Sequence, residues 1–179
     1  QADAITCISR TVQEQIKNEL NLNSTVIYNP TKDVAHDPKI AKSMPFLYVG
    51  RANDPRKRFS LIKESFKNYQ ELHKGLMICG SEDPKFGVYA GILSDEDLNL
   101  AYNAFKFLLL PSSFEGLGLP MIEAMIAGSI PITCRDNLTA VELCPQEFIC
   151  DPDPQSFMAK LIEINKEYSK FQKISLENL

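Results

Sequence analysis

From Pro45 onward the chain alternates short apolar runs of strand length with longer stretches whose apolar residues return at helical spacing. Phe46 to Val49, Leu76 to Cys79, Val88 to Leu93, Phe107 to Leu110 and Ile130 to Cys134 predict strands, with a short one near Phe148 to Ile149. Phe59, Ile62, Phe66 and Tyr69 share one face of a helix predicted over 59–72. Ser94 can cap a helix that opens on Asp95, Glu96 and Asp97 and runs to about Asn103. Further helices are predicted from Pro120 and over Ser156 to Tyr168. The run Phe107 to Leu110 has no polar position, which suits a parallel strand covered on both faces. Strand and helix in alternation predict an α/β fold with a parallel sheet flanked by helices. Upstream, Ala4 to Ser9 reads as a short strand, Ser9 as the cap of a helix to about Leu20, and Thr25 to Pro30 as a further strand and turn. Thr31 to Ser43, polar and carrying Pro38, reads as a linker.

Length and composition narrow this picture. With 179 residues, 44% of them apolar, the chain can bury one ordinary core. A net charge of −4 with scattered basic residues gives no footprint for a nucleic acid, and no apolar run has the length of a membrane span. Nothing at the start reads as a signal peptide. Cys7, Cys79, Cys134, Cys144 and Cys150 show no CxxC spacing and stand mostly in apolar strings, as buried free thiols of a reducing compartment would. Gln1 is not an initiator methionine, so the chain is expected to be a piece of a longer one.

The candidate chemistry lies where strands end. After Phe107 to Leu110 come Pro111-Ser112-Ser113-Phe114-Glu115-Gly116-Leu117-Gly118-Leu119-Pro120 and then Met121-Ile122-Glu123-Ala124-Met125. Pro120 suits the first turn of a helix, and Gly116 and Gly118 let the backbone approach a ligand closely. The free N–H groups from Gly116 through Leu117, Gly118 and Leu119, with the positive end of the helix dipole, favour an anion such as a diphosphate. Glu123, beside that anion, is better placed to accept hydrogen bonds from sugar hydroxyls than to face phosphate. A second loop, Gly50-Arg51-Ala52-Asn53-Asp54-Pro55-Arg56-Lys57-Arg58, leaves the first strand of the sheet, and Gly80 ends the next. Ligands of open α/β sheets bind beyond such carboxyl ends, which puts Arg51 and Lys57 at the same crevice as Gly116. His36 and His73 have no partners at catalytic spacing, and no acidic cluster has the character of a metal site.

The string FEGLGLPMIEAMIAG resembles the signature of the large retaining glycosyltransferase family with the GT-B fold, sucrose-phosphate synthases and lipopolysaccharide glycosyltransferases among them. Its hallmark is two glutamates separated by seven residues, the spacing of Glu115 and Glu123. The resemblance implies that Glu115 lies by the donor sugar and Glu123 binds the nucleotide ribose. It also implies that Arg51 and Lys57 neutralise the donor diphosphate, with Arg58, which stands where the family carries glycine, as the alternative inward cation. The implied fold is a Rossmann-like, nucleotide-sugar-binding domain over 44–179, preceded by the end of an acceptor-binding N-terminal domain and its linker over 1–43. The implied donor is a nucleotide diphosphate sugar used without metal or other cofactor. The implied acceptor is a sugar or glycolipid, and the implied location is the cytoplasm, peripheral at the inner membrane through the missing domain. Between Gly80 and Val88 the chain is too short for the helix the family carries there, beside the nucleotide base. A nucleotide-sugar epimerase of the same architecture and a non-catalytic assembly module are the alternatives.

Overall fold

The computed structural model describes residues 3–69 and 71–177. Gln1, Ala2, Gln70, Asn178 and Leu179 lie outside the described residues, and with them the expectation that rests on Gln1 and one position of the predicted 59–72 helix. In chain order the elements are β1 (Thr6–Cys7), α1 (Arg10–Leu20), β2 (Thr25–Val26), β3 (Met44–Val49), α2 (Phe59–Phe66), β4 (Leu76–Cys79), β5 (Val88–Gly91) and α3 (Asp95–Ala104). They continue with β6 (Phe105–Leu110), α4 (Leu119–Ile126), β7 (Ile130–Cys134), α5 (Leu138–Leu143), β8 (Ile149–Cys150), α6 (Pro154–Lys166) and α7 (Tyr168–Glu177).

β3 to β8 form one six-stranded parallel sheet in the order β5-β4-β3-β6-β7-β8, and β1 pairs with β2 in a separate two-stranded sheet. In the centre Phe46 lies opposite both Leu76 and Phe107. Phe46, Tyr48, Phe107 and Leu109 share one core with Phe59, Ile62 and Phe66 of α2 and Phe157, Leu161 and Ile164 of α6. Leu47 and Leu108, one residue along, share the second core with Ala101 and Tyr102 of α3 and Ala124 of α4. This two-sided cover is why the central strands read as unbroken apolar runs. Each fully buried side chain of this size contributes roughly 1.5–3 kcal/mol.

The parallel α/β architecture is therefore as expected, with differences at the margins. α2 stops at Phe66, because Tyr69 is exposed and the apolar stripe has nothing further to pack on. β6 begins at Phe105, ahead of the apolar run, and Lys106 is accommodated with its Nζ 5.3 Å from the centre of the Tyr168 ring. α5 is six residues long, too short to announce itself by periodicity. α7 follows a break at Glu167 and buries Phe171 and Ser175, with the Ser175 hydroxyl donating to the Ser129 carbonyl. All five cysteines are buried and free.

Residues 31–43 have no helix or strand, yet side chains tie them to the sheet's helices. Asn103 Oδ1 accepts from Asp37 N–H, and Asn103 Nδ2 donates to the Ala35 carbonyl. Lys42 Nζ donates to the carbonyls of Tyr102, at 2.6 Å, and Ala127, at 2.8 Å, at the C-terminal ends of α3 and α4. Burial pulls the Lys42 pKa down to about 7, against the preference of helix-end carbonyls for a cation.

The N-terminal segment is held by one carboxylate of α5. Glu142 accepts from Arg10 N–H and Thr11 N–H, both at 2.9 Å, from the Thr11 hydroxyl and from Tyr28 Oη. It thereby caps α1 together with Ser9, whose Oγ accepts from Val12 N–H. Burial pushes the Glu142 carboxyl upward, but the Arg10 and Thr11 N–H groups and the two hydroxyls outweigh it and hold the group below the usual carboxylate range. A depressed folded-state pKa stabilises above the ordinary glutamate value of roughly 4.3 and is lost as pH falls through the folded value. Glu142→Ala is accordingly expected to loosen α1 by roughly 1.5–3 kcal/mol, the worth of hydrogen bonds to a charged group. Amide hydrogen exchange over residues 10–20 measures it. Wild-type protection should fall on acidification, whereas the variant should start low, and equal protection in both would assign the docking to other contacts.

Candidate functional site

The strand order reverses direction once. From β3 the chain moves outward through β4 to β5, then returns to lay β6 on the other side of β3 and moves outward again through β7 to β8. Loops leaving β3 and β6 therefore part in opposite directions and open a crevice at their carboxyl ends, the place where open α/β sheets bind ligands. Those two loops are the basic loop and the glycine loop.

Glycines bring the strand ends together. Gly50 N–H donates to the Cys79 carbonyl at 2.9 Å, and Gly80 N–H to the Gly91 carbonyl at 2.8 Å. A Cβ on Gly80 would stand 2.1 Å from the Gly50 carbonyl oxygen, so the backbones touch where only hydrogen fits. The following loop is folded around Asp54, which accepts from Arg51 at 3.1 Å and from Arg56 through Nε, Nη2 and its N–H. The Arg56 side chain first, then its N–H and the Arg51 charge, hold the Asp54 carboxyl at about 2. The Arg51 side chain stays 64% exposed at the crevice mouth.

Lys57 is already paired. Its side chain is only 19% exposed, and its Nζ donates to both oxygens of Glu115, at 2.7 and 2.8 Å. The two loops are thus joined by an ion pair between the two residues that sequence reasoning assigned to diphosphate and sugar. Arg58 is bonded to the segments that follow β6 and β7. It adopts φ 46°, the left-handed conformation that explains a glycine preference here, and its Nε donates to the Pro111 carbonyl at 2.6 Å. Its two terminal nitrogens clasp Asp136 at 2.7 and 2.8 Å, so Arg58 braces the ends of β6 and β7.

On the β6 side, Ser113 N–H donates to the Arg56 carbonyl at 2.8 Å, and the Thr139 hydroxyl donates to the Glu115 carbonyl at 3.0 Å. Gly118 has φ 75° and caps α4, with Leu119 and Pro120 opening the helix. The N–H groups of Gly116, Leu117, Gly118 and Leu119 find no acceptor among the described residues, which leaves four donors at a helix N-terminus. Leu117 is buried and anchors the loop from beneath. Glu123, one turn into α4, is 3% exposed, and its Oε2 accepts from Tyr102 Oη at 2.9 Å.

Gly50, Arg51, Lys57, Gly80, Glu115, Gly116, Leu117, Gly118, Leu119 and Glu123 therefore all lie on loops or a helix start at the carboxyl edge. Sequence reasoning missed Tyr102, Asp136 and Thr139, whose partners are far away in sequence and leave no local pattern. It also missed the buried hydroxyls of Tyr48 and Ser112 at the ends of β3 and β6, which have no hydrogen-bond partner among the described residues. A cavity of about 370 Å³ opens at the opposite, amino edge between Pro45, Phe107, Leu161 and Ile162. It is mostly apolar, although Ser43, Glu71, Lys106 and Asn165 also line it, and neither the basic loop nor the glycine loop reaches it, so the chemistry points to the carboxyl edge instead.

These features define a doubly wound α/β domain whose crevice sets cations on the loop after β3 against free amides and carboxylates on the β6–α4 side. The sequence profile of the glycosyl transferases group 1 family matches residues 44–167, and the chain belongs to that family. O-antigen chain mannosyltransferase B of Escherichia coli is 31% identical over 88 residues, 49% of this chain and 23% of that protein. O-antigen chain mannosyltransferase RfbU of Salmonella typhimurium is 27% identical over 146 residues, 72% of this chain and 41% of that protein. The chain thus spans less than half the length of either relative. Among solved structures, Anabaena HepE in complex with UDP and glucose superposes with a TM-score of 0.81 at 15% identity, covering 99% of this chain and 57% of that one. Sucrose-phosphate synthase from Thermosynechococcus elongatus does so with a TM-score of 0.79 at 17% identity, covering 99% and 52%. The shared fold is that of the GT-B glycosyltransferases.

Proposed function

We propose that this chain is the donor-binding part of a retaining glycosyltransferase that moves a hexose-type sugar from a nucleoside diphosphate to an acceptor hydroxyl. The observation that carries the reading is the meeting of both loops at the reversal point of the sheet, with Lys57 on Glu115 and the unpaired amides of Gly116 to Leu119 alongside. As the glycosidic bond breaks, negative charge grows on the departing diphosphate. Arg51, Lys57 and those amides are fixed donors placed to stabilise it. Glu123 would accept from the ribose hydroxyls and Glu115 from those of the sugar. Residues 1–43 would be the end of an acceptor-binding domain and its linker, and the rest of that domain would supply the facing wall of the crevice.

The mannosyltransferase relatives make mannose and a growing polysaccharide or glycolipid the donor sugar and acceptor to test first. HepE, as a UDP complex, makes uridine one of the bases to screen. Five buried free thiols accord with work in the cytoplasm, peripheral at the membrane through the rest of the protein.

Uridine, guanosine and adenosine diphosphate sugars should be offered to the full-length protein with an acceptor, and the anomeric configuration of the product read by NMR. Inversion would refute the retaining mechanism, and epimerisation without acceptor would favour the epimerase reading. Glu123→Gln is expected to weaken binding of the free nucleoside diphosphate by on the order of 1–2 kcal/mol, through loss of a charged acceptor. Glu115→Gln should leave that binding nearly unchanged and slow sugar transfer. Calorimetric titration with nucleoside diphosphate and with nucleotide sugar separates the two, and the opposite pattern would exchange their roles.

A further inference from the structure

Glu123 is a buried carboxylate with very few partners. Its Oε2 accepts from Tyr102 Oη, and its Oε1 accepts from no group among the described residues. Among the described residues no lysine or arginine is bonded to it; Lys32, close enough to feel its charge, is paired with Asp95. An ionised group so poorly compensated is costly to a fold unless a ligand supplies the missing donors.

The one donor it has is unusually well fixed. The Tyr102 ring has no exposure and packs in the core that includes Leu47, Cys79, Leu108 and Ala124. The Tyr102 carbonyl accepts from Lys42 Nζ at 2.6 Å and from the Ser129 hydroxyl at 2.7 Å. Held by its backbone at one end and packed along its ring, the side chain delivers its hydroxyl to one place only. Burial first, and the Glu123 charge second, push the Tyr102 phenol far above its ordinary range, so it remains a donor.

We propose that Tyr102 is a positioning residue for donor binding: it holds Oε2 of Glu123 and thereby presents Oε1 to the paired hydroxyls of the nucleotide ribose. The inference rests on the reading of Glu123 as the ribose acceptor given above. Without the Tyr102 hydroxyl the carboxylate can rotate about its side-chain bonds, and part of the donor's binding energy is spent on reordering it.

The test is Tyr102→Phe in the full-length protein, which removes one oxygen and keeps the ring. Tyr168→Phe is the control, since that buried hydroxyl has no partner among the described residues and lies on the other core. With whichever of UDP, GDP and ADP binds the wild type, Tyr102→Phe should weaken binding about three- to tenfold, the size of one hydrogen bond. KM for the nucleotide sugar should rise with kcat nearly unchanged, and Tyr168→Phe should do neither. In a Glu123→Gln background Tyr102→Phe should add little, because the two act as a unit. Wild-type affinity in Tyr102→Phe while Glu123→Gln binds weakly would overturn the positioning role alone. Wild-type affinity in Glu123→Gln would instead overturn the ribose reading, and the proposal with it. A fall in kcat and melting temperature without a change in affinity would make Tyr102 a packing residue.

Discussion

Lys57→Ala is expected to lower both turnover and stability. Lys57 and Glu115 are paired in the absence of ligand with side chains only 19% and 10% exposed. Removing the lysine strands a nearly buried carboxylate with no other side-chain donor among the described residues. Breaking a fully buried pair in this way costs about 3–5 kcal/mol, and the remaining exposure brings the expectation closer to about 1–3 kcal/mol. Turnover should fall about ten- to hundredfold, if the ammonium makes a charge-assisted bond of roughly 1.5–3 kcal/mol to the departing diphosphate. The double variant Lys57→Met with Glu115→Gln separates these effects. With both charges gone nothing is left unpaired, so stability should recover much of its loss while sugar transfer stays low. Urea unfolding beside transfer rates gives both readings. A double variant that transfers sugar at the wild-type rate would remove this pair from the mechanism.

That pairing also shows where reading the sequence stops. Arg51, Lys57, Gly116, Gly118 and Glu123 were legible because each lies in the loop or first helix that follows a central strand, and strand ends can be found from apolar runs. The state of Lys57 was not legible, because its partner lies 58 positions away and nothing near either residue marks the other. The same holds for Tyr102 with Glu123, Arg58 with Asp136, and Glu142 with Arg10, which lie 21, 78 and 132 positions apart. In the fold, Leu76–Cys79 and Ile130–Cys134 appear with the bounds their apolar runs predict. Lys106 hid the start of β6 because its charge is satisfied over an aromatic face rather than in water. α5 and α7 went unseen for a different reason. The first is too short for a period, and the second resumes after a break in a direction set by its packing on α4 and β7.

The pairs invisible in sequence are the ones that join elements. Glu142 fixes the N-terminal helix to α5, Arg58 braces β6 to β7, and Lys57 closes the basic loop on the glycine loop. Lys42 draws the 31–43 segment onto Tyr102, whose other end holds Glu123. Local sequence places candidate groups along the carboxyl edge, and these longer links set the direction in which each one points.

Gly80→Ala is expected to be the most damaging single methyl at the site. The added Cβ would lie 2.1 Å from the Gly50 carbonyl oxygen and 3.1 Å from its carbon, both backbone atoms with no rotamer to escape into. β3 and β4 are hydrogen-bonded at this point through Gly50 N–H and the Cys79 carbonyl, so relief requires prising the strand ends apart. Forcing a methyl into such a contact costs about 1–3 kcal/mol, and backbone on the far side puts this case at the upper end. The displaced peptide is the one that leads into Arg51, and a shift of about 1 Å at a charge-stabilising group can cost on the order of a hundredfold in rate. Gly116→Ala is the contrasting case, because its Cβ would meet only Ile8 Cδ1, at 3.0 Å, the movable end of a side chain. Unfolding curves and nucleoside diphosphate titrations of the two variants make the comparison. Gly80→Ala should lose stability and affinity together, while Gly116→Ala should unfold close to the wild type. Equal stability of the two would mean that the strand ends yield more readily than their hydrogen bonds imply, and the rigid placement of Arg51 would have to be given up.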